Sequence, residues 1–456
     1  MERQLHPDAA ENFNQRAEVL FAQREPEDEE VSELPTHTFR PGAHVVASFS
    51  EGDYSAFNIS GKRNALGKTT AKYFEHEGSR YGLEDEKYQE LARLSESIQR
   101  TPAFREVVST EWVEDTIIDW MKTKHAGEEV SALADYLVEQ CEQDVADHEL
   151  WFPISRLSVE TDLQFGSVIF KTISKDMLDR MEEDLQGGVG DRGDEYAAQM
   201  QYYAQRQRSE LQSLAAATIK VNAEPKRAFQ VALRESELAV AALSVYQVAA
   251  TTMPEVTSYC AVLGRENVES IKHLEVENGR VVRTTDKDLG KPVLHWHLSE
   301  EDVSRFRKSL GFDNVSDLLT LDTRTGFQEA LLDALLLYSR STREKDLAGR
   351  LVYMLVAMES FLLKSDNEPI QQAIGERMAF VVGDTANERQ DMAANLRKAY
   401  SLRSKFVHHG QTIEEVETIR QFMLNTWRLF TQLAKISKRF TTKEELIEAL
   451  EARKWS

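Results

Sequence analysis

The chain has 456 residues, a hydrophobic fraction of 41% and a formal net charge of −22. Its length and apolar content predict two or three domains with buried cores, and its acidity argues against a protein that coats nucleic acid non-specifically. Its two cysteines, Cys141 and Cys260, exclude a disulfide framework and favour a reducing compartment. No apolar run reaches the ~18 residues of a membrane helix, and the amino terminus lacks signal-peptide features. We therefore expect a cytoplasmic protein without membrane contact.

The first part of the chain changes from a polar segment to strands and then to helices. Residues 1–35 contain a charge run from Arg24 to Glu30, which is typical of a flexible acidic lead-in. Alternating apolar and polar residues predict two short strands between positions 44 and 59. Apolar residues three and four apart predict helices from Glu84 to Asp147. We expect an N-terminal region over residues 36–147.

The basic stretch from Gly61 to Thr69 has part of the composition of a phosphate-binding P-loop. That loop needs four residues between its glycines, so that the backbone amides wrap one phosphate. Five residues separate Gly61 from Gly67, and no apolar strand ending in aspartate follows at the usual place to hold magnesium. A basic loop is the favoured interpretation. The alternative, a P-loop ATPase, would require nucleotide binding through Lys68.

Residues 148–320 combine strand and helix patterns without an internal repeat. Apolar stretches at 150–159 and 163–170 predict two strands around a turn, and glycines between 187 and 193 predict a loop. A long amphipathic pattern predicts a helix over 227–247. The other predicted elements are a helix at 196–208 and strands at 214–221, 258–263, 280–283 and 293–298. We expect a mixed α/β middle region with a sensor or regulatory role.

His295 and His297 lie on the last of these predicted strands. Residues two apart share one face of a strand, so the two imidazoles could bind a metal ion. No cysteine or further histidine cluster lies nearby to complete the site. A histidine pair without metal is the favoured interpretation.

Residues 321–456 have the pattern of an all-α bundle, so the fold class expected for the whole chain is α+β. Six helices are predicted, at Phe327–Tyr338, Asp346–Leu363, Gln371–Val382, Arg389–Val407, Ile413–Lys435 and Lys443–Arg453. The second is apolar nearly all round and should be the buried central helix. Thr412 and Glu415 form a predicted capping box that starts the fifth helix.

Arg403 and His408 stand near the end of the fourth helix of this bundle. Arginine grips phosphate with a planar fork of donors, and histidine exchanges protons near neutral pH. Residues five apart in an ideal helix lie about 140° apart round the axis. The two side chains would converge if the helix unwound near His408, as Gly410 suggests. The alternative is a solvated arginine with a histidine that complements the helix dipole.

Four pieces follow one another within residues 327–440, namely Leu351–Leu363, Ile374–Phe380, Val381–Asp384 and Tyr400–Gly410. In this order they resemble a HEPN domain of the ApeA-like bacterial branch. The R-x4-H motif of that family corresponds to Arg403 and His408. Ser404 stands where HEPN nucleases often have a polar amide or an acid. The strands at 150–170 also resemble, less specifically, the β-rich segment that often precedes such a domain.

The resemblance implies a metal-independent endoribonuclease that needs no cofactor and acts as a homodimer, with the motifs of two protomers facing each other across a cleft. The ribose 2′-hydroxyl of the RNA substrate would attack the adjacent phosphate. His408 would act as general base or acid and Arg403 would stabilise the transition state.

The resemblance also implies roles for four neighbouring residues. Ser404 would position the phosphate, and Tyr400 and Lys405 would line the cleft. Glu359 would either hold Arg403 or be a helix-facing acid without such a role. His409 is expected to be a cap rather than a catalyst.

A role in bacterial anti-phage defence, with a phage-derived trigger sensed by the N-terminal region, follows from the resemblance alone. Residues 341–456 carry 18 Lys+Arg and 16 Asp+Glu, whereas the other 340 residues have a net charge of −24. An acidic body would restrict the access of RNA, although acidity also serves solubility. The alternative function is a non-catalytic HEPN module that binds RNA or protein.

Overall fold

The computed structural model describes residues 4–26, 59–63, 68–187, 194–258, 260–265, 270–277, 280–288, 295–365, 367–409 and 415–453. The fold is mixed α+β with a C-terminal helical region, which confirms the predicted class. Two compact units divide the chain, one of Met1–Leu150 with Lys220–Ala232 and one of Trp151–Ile219 with Leu233–Ser456. Most of the predicted middle region therefore belongs to the same unit as the C-terminal helices. No described helix is long and apolar enough to cross a membrane.

The N-terminal part of the chain pairs a small antiparallel sheet with helices. Its elements are α1 Pro7–Gln23, β1 Glu25–Pro26, β2 Ile59–Arg63, β3 Thr69–His76, β4 Ser79–Glu84, α2 Asp85–Gln99, α3 Thr110–His125, α4 Leu133–Asp144 and β5 Ala146–Pro153. The first four strands pair in the order β1-β4-β3-β2. Glu77 and Gly78 join β3 to β4 with φ of 48° and 78°, the backbone sign that a two-residue hairpin turn requires.

Helix α1 corrects the prediction that residues 1–35 form a flexible lead-in. Phe13, Ala17 and Leu20 recur at helical spacing and are buried in the core of the first unit. Burial of this apolar face stabilises the helix, despite the polar composition of the segment. The strands predicted between residues 44 and 58 and the remainder of the charge run after Pro26 lie outside the described residues.

The middle of the chain contains more and shorter elements than predicted. They are β6 Leu157–Val159, β7 Leu163–Phe165, β8 Val168–Thr172, α5 Lys175–Gly187, α6 Asp194–Leu211, β9 Ala215–Ala223, α7 Pro225–Leu243, α8 Val248–Thr251, β10 Ser270–Glu277, β11 Arg280–Asp288, β12 Trp296–Leu298, α9 Glu300–Ser309 and α10 Phe312–Thr320. One sheet has the order β5-β9-β8-β7, β10 pairs with β11, and β12 runs parallel to β6.

Left-handed backbone explains why the two strands predicted before residue 170 are each broken. Arg156 has φ of 60° and separates β5 from β6, and Gly166 has φ of 62° and separates β7 from β8. The strand predicted at 258–263 is wrong, because the described residues there form turns with one isolated bridge, from Val262 to Ile154.

The helices predicted in the C-terminal region are confirmed. They are α11 Gly326–Arg343, α12 Leu347–Leu362, α13 Ile370–Val382, α14 Ala386–His409, α15 Val416–Lys435 and α16 Lys443–Ala452. Helix α12 is central, since it packs against the other five. Its buried side chains include Leu351, Met354, Leu355 and Phe361. The predicted capping box lies partly outside the described residues, because Thr412 is not among them.

Two buried arginines tie the loops of this bundle together. Arg350, 1% exposed, donates to the carbonyl oxygens of Met253 and Val256 at 3.2 and 2.6 Å. Arg377 forms ion pairs with Glu368 at 2.6 Å and Glu451 at 3.0 Å. Arg377 therefore connects α13 both to the loop before it and to α16.

Candidate functional site on helix α14

The predicted site residues lie on the last three turns of α14 and on the central helix beneath it. Helix α14 packs against α12, α13 and α15 and has an exposed face. Met392, Leu396, Ala399 and Leu402 fix its orientation, because these apolar side chains are buried at spacings of three and four. The polar residues between them consequently occupy defined angles round the helix.

Tyr400 is buried rather than lining the surface. Its hydroxyl donates a 2.8 Å hydrogen bond to Oε1 of Glu359 on α12. Burial, reinforced by the negative charge and hydrogen bond of Glu359, raises the pKa of the Tyr400 phenol far above its usual range. Tyr400 is therefore a neutral hydrogen-bond donor that connects α14 to α12.

Arg403 lies at the margin of this buried pair. Its side chain is partly buried, and its positive charge acts on the Tyr400 phenol in the direction that lowers the pKa. Its Nε is buried and has no hydrogen-bond partner within the described part of the chain. Arg403 forms no ion pair with a described acid, so the alternative in which Glu359 holds Arg403 is not observed. Glu359 accepts a hydrogen bond from Tyr400.

Ser404, Lys405 and His408 are all exposed, as is His409. Val407 is 53% exposed between these polar groups. His408 and His409 belong to the last turn of α14, where a cation complements the helix dipole. Solvent and ligands can therefore reach His408 directly.

Helix α14 does not unwind before His408, contrary to the sequence-based expectation. It continues regularly to His409, beyond the predicted end at Val407. In a regular helix, Arg403 and His408 are about 140° apart round the axis and about 7.5 Å apart along it. One chain therefore presents the two side chains on different faces of α14.

His295 and His297 do share a face, and they meet a serine that the sequence did not indicate. Ser158 Oγ lies 2.9 Å from His297 Nδ1 and 2.9 Å from His295 Nε2. Burial and the nearby charges of Arg156 and His297 lower the pKa of His295. The histidines form a hydrogen-bonded cluster, and no group of three or more potential metal ligands occurs among the described residues.

The basic stretch after Gly61 starts within a strand rather than within a phosphate-binding loop. Gly61 belongs to β2 and pairs with Lys72 of β3. A Cβ at Gly61 would lie 2.9 Å from the carbonyl oxygen of Ala71, so close strand pairing explains this glycine. Residues 64–67 lie outside the described residues.

Three exposed residues of α14 were missed as site candidates. Arg397, Lys398 and Ser401 lie on the exposed face upstream of the Arg–His motif. The available signal was the absence of any acid between Met392 and His409 in a chain with net charge −22.

No protein-family model, no curated protein and no solved structure matches this chain.

Proposed function

We propose that this protein is a metal-independent endoribonuclease of the HEPN type. The proposal rests on the resemblance of residues 327–440, together with one observation about the site. That observation is the exposure of His408 at the end of α14, one and a half turns after a partly buried arginine. An accessible imidazole supplies proton transfer, and a guanidinium supplies charge stabilisation.

The proposed reaction is a transesterification within RNA. The imidazole of His408 takes the proton of the ribose 2′-hydroxyl, and the 2′-oxygen forms a bond to the adjacent phosphorus. The bond from phosphorus to the 5′-oxygen breaks, and that oxygen takes a proton from the imidazolium that His408 has become. Arg403 stabilises the charge of the phosphorane-like transition state. The products are a 2′,3′-cyclic phosphate and a 5′-hydroxyl.

The separation of Arg403 and His408 round α14 favours a site built from two copies of the chain. One protomer would supply Arg403 and its partner would supply His408 across a cleft, which agrees with the homodimer implied by the resemblance. Ser404 and Lys405 are exposed beside His408 and would contact the phosphate. Tyr400 and Glu359 would act beneath the cleft, by holding α14 on α12.

The direct test is incubation of the purified protein with mixed cellular RNA in EDTA, with and without phage lysate. We expect fragments ending in cyclic phosphate from the wild type and none from His408→Ala. His409→Ala is the matched control, because it removes the adjacent exposed imidazole. Equal cleavage by wild type and His408→Ala, or no cleavage by the wild type in either condition, contradicts the proposal.

The same 140° separation also favours a second candidate function, a non-catalytic module that binds RNA or protein. In that case Arg403 and His408 are surface groups of α14 without a shared reaction. Retention of intact RNA by wild type and His408→Ala alike would support this candidate. The lysate arm examines the proposed phage-derived trigger, since cleavage by the wild type that starts only with lysate indicates activation by a component of the lysate.

A further inference from the structure

The last three-quarters of α14 carries a concentration of positive charge in an acidic protein. Residues 392–409 contain Arg397, Lys398, Arg403 and Lys405 and no acid, whereas the whole chain has a net charge of −22. A local excess of this kind attracts anions even when the whole protein is acidic.

Helical geometry sorts them into one stripe. Taking Arg397 as the origin, Ser401, Ser404 and His408 all lie within about 40° of it round the axis. Lys398 and Lys405 flank this line on one side, at about 100° and 80°. We call these six residues the α14 stripe; all six are exposed. Arg403 lies on the other side of the helix and does not belong to it.

The cations of the stripe are available to a ligand. Arg397, Lys398 and Lys405 form no ion pair with any acid in the portion of the chain that the structure describes. Other exposed cations of the same unit do form ion pairs, for example Lys438 with Asp317 at 2.7 Å and Arg420 with Glu255 at 2.9 Å. The stripe is thus a row of unneutralised donors.

We infer that the α14 stripe binds the backbone of single-stranded RNA and leads it to His408. The inference rests on the proposed function, and it names the substrate path and the residues that form it. From Arg397 to His408 the stripe is about 16 Å long.

The composition of the stripe favours a nucleic-acid backbone over an acidic protein surface. The hydroxyl groups of Ser401 and Ser404 lie along the helix between Arg397 and Lys398 on one side and Lys405 on the other. Hydroxyls together with Arg and Lys are typical phosphate-contacting groups. The stripe itself contains no apolar anchor of the kind that fills a pocket in a protein interface. Its side chains would contact the phosphates rather than the bases, so we expect the affinity to depend little on base sequence.

The test is the salt dependence of binding of a fluorescent single-stranded oligouridylate to the full-length chain. All proteins carry His408→Ala, so that the probe stays intact. The test variant adds Arg397→Gln and Lys398→Gln, which remove two charges at exposed positions. The matched control adds Lys435→Gln and Arg439→Gln, which remove two exposed cations on and just after α15 that form no ion pair with a described acid.

For a single strand, the slope of log K against log salt changes by about 0.7 for each phosphate contact, so the test variant should lose about 1.4. If the test variant and its parent bind the probe equally at 1 M salt, this slope difference makes the test variant bind about 25-fold more weakly at 0.1 M salt. The control pair should keep the parent slope. An unchanged slope in the test variant, an equal loss in the control, or equally effective competition by polyglutamate overturns the inference.

The two proposals fail in distinguishable ways. If the otherwise wild-type protein cleaves RNA while the Arg397 and Lys398 substitutions leave binding unchanged, the nuclease stands and the path is wrong. If binding follows the stripe but the wild type never cleaves, the path stands and the nuclease is wrong. Absence of any oligouridylate binding also overturns the path.

Discussion

The ion pair between Glu368 and Arg377 should make the stability of the second unit depend on acid pH. Hydrogen bonds from Arg377, at 2.8 and 2.6 Å, hold the pKa of Glu368 at about 2, below the usual 4.5 of a glutamate carboxyl. The folded pKa lies below the unfolded one, so the contribution is fully present above about pH 4.5 and is lost as pH falls towards 2.

The size of this contribution follows from the pKa difference and from solvent screening. The shift from 4.5 to about 2 corresponds to about 3 kcal/mol at neutral pH. The Glu368 side chain is 20% exposed, and its other charged neighbour, Lys364, is at the surface. Screening therefore reduces the expected value to about 1–2 kcal/mol.

The assay compares urea unfolding of wild type and Glu368→Gln at several pH values. We expect the variant to be less stable by about 1–2 kcal/mol at pH 7, with the difference shrinking as pH falls below about 4.5. A gap that stays constant from pH 6 to pH 3 would refute the ion-pair explanation.

Four further substitutions test three other parts of the fold, each by urea unfolding. Arg350→Met should lower the free energy of unfolding by about 2–4 kcal/mol, because the carbonyl oxygens that accept from this buried side chain lose their donor. An unchanged free energy of unfolding contradicts this. Tyr400→Phe should lower the free energy of unfolding by about 1–2 kcal/mol and slow any RNA cleavage, because Glu359 loses its hydrogen-bond donor. If neither stability nor cleavage changes, the hydrogen bond does not hold α14 on α12. Gly82→Ala should lower the free energy of unfolding more than Gly78→Ala does. A Cβ at Gly82 would lie 2.4 Å from a ring carbon of Tyr73, whereas a Cβ at Gly78 would have open space and meet only the strain of a positive φ. The reverse order would be evidence against the hairpin packing.

The C-terminal helices were predictable because their signal is local. Apolar periodicity located all six, and α12 was recognised as central from its nearly continuous apolar sequence. Helix α1 was missed because only Phe13, Ala17 and Leu20 mark its buried face within a polar segment. The high local charge led to the prediction of a flexible segment. In the folded protein, burial of the three apolar side chains against the core stabilises the helix.

The candidate site was only partly predictable, because its contacts depend on distances round and between helices. The sequence identified the Arg–His motif but not that α14 stays helical through His409. It also did not reveal the partner of Glu359, since Tyr400 lies 41 positions away, or the contacts of Ser158 with histidines 137 and 139 positions away. Contacts at such separations leave no periodic trace in one sequence.

The most direct test of the central claim is complementation between two inactive chains. Arg403 and His408 lie on different faces of α14, so a site shared by two protomers takes one residue from each. Co-expressed Arg403→Ala and His408→Ala chains should form heterodimers with one intact site. At random pairing this predicts roughly a quarter of wild-type RNA cleavage in EDTA. A mixture as inactive as either variant alone, beside an active wild type, would contradict the shared site.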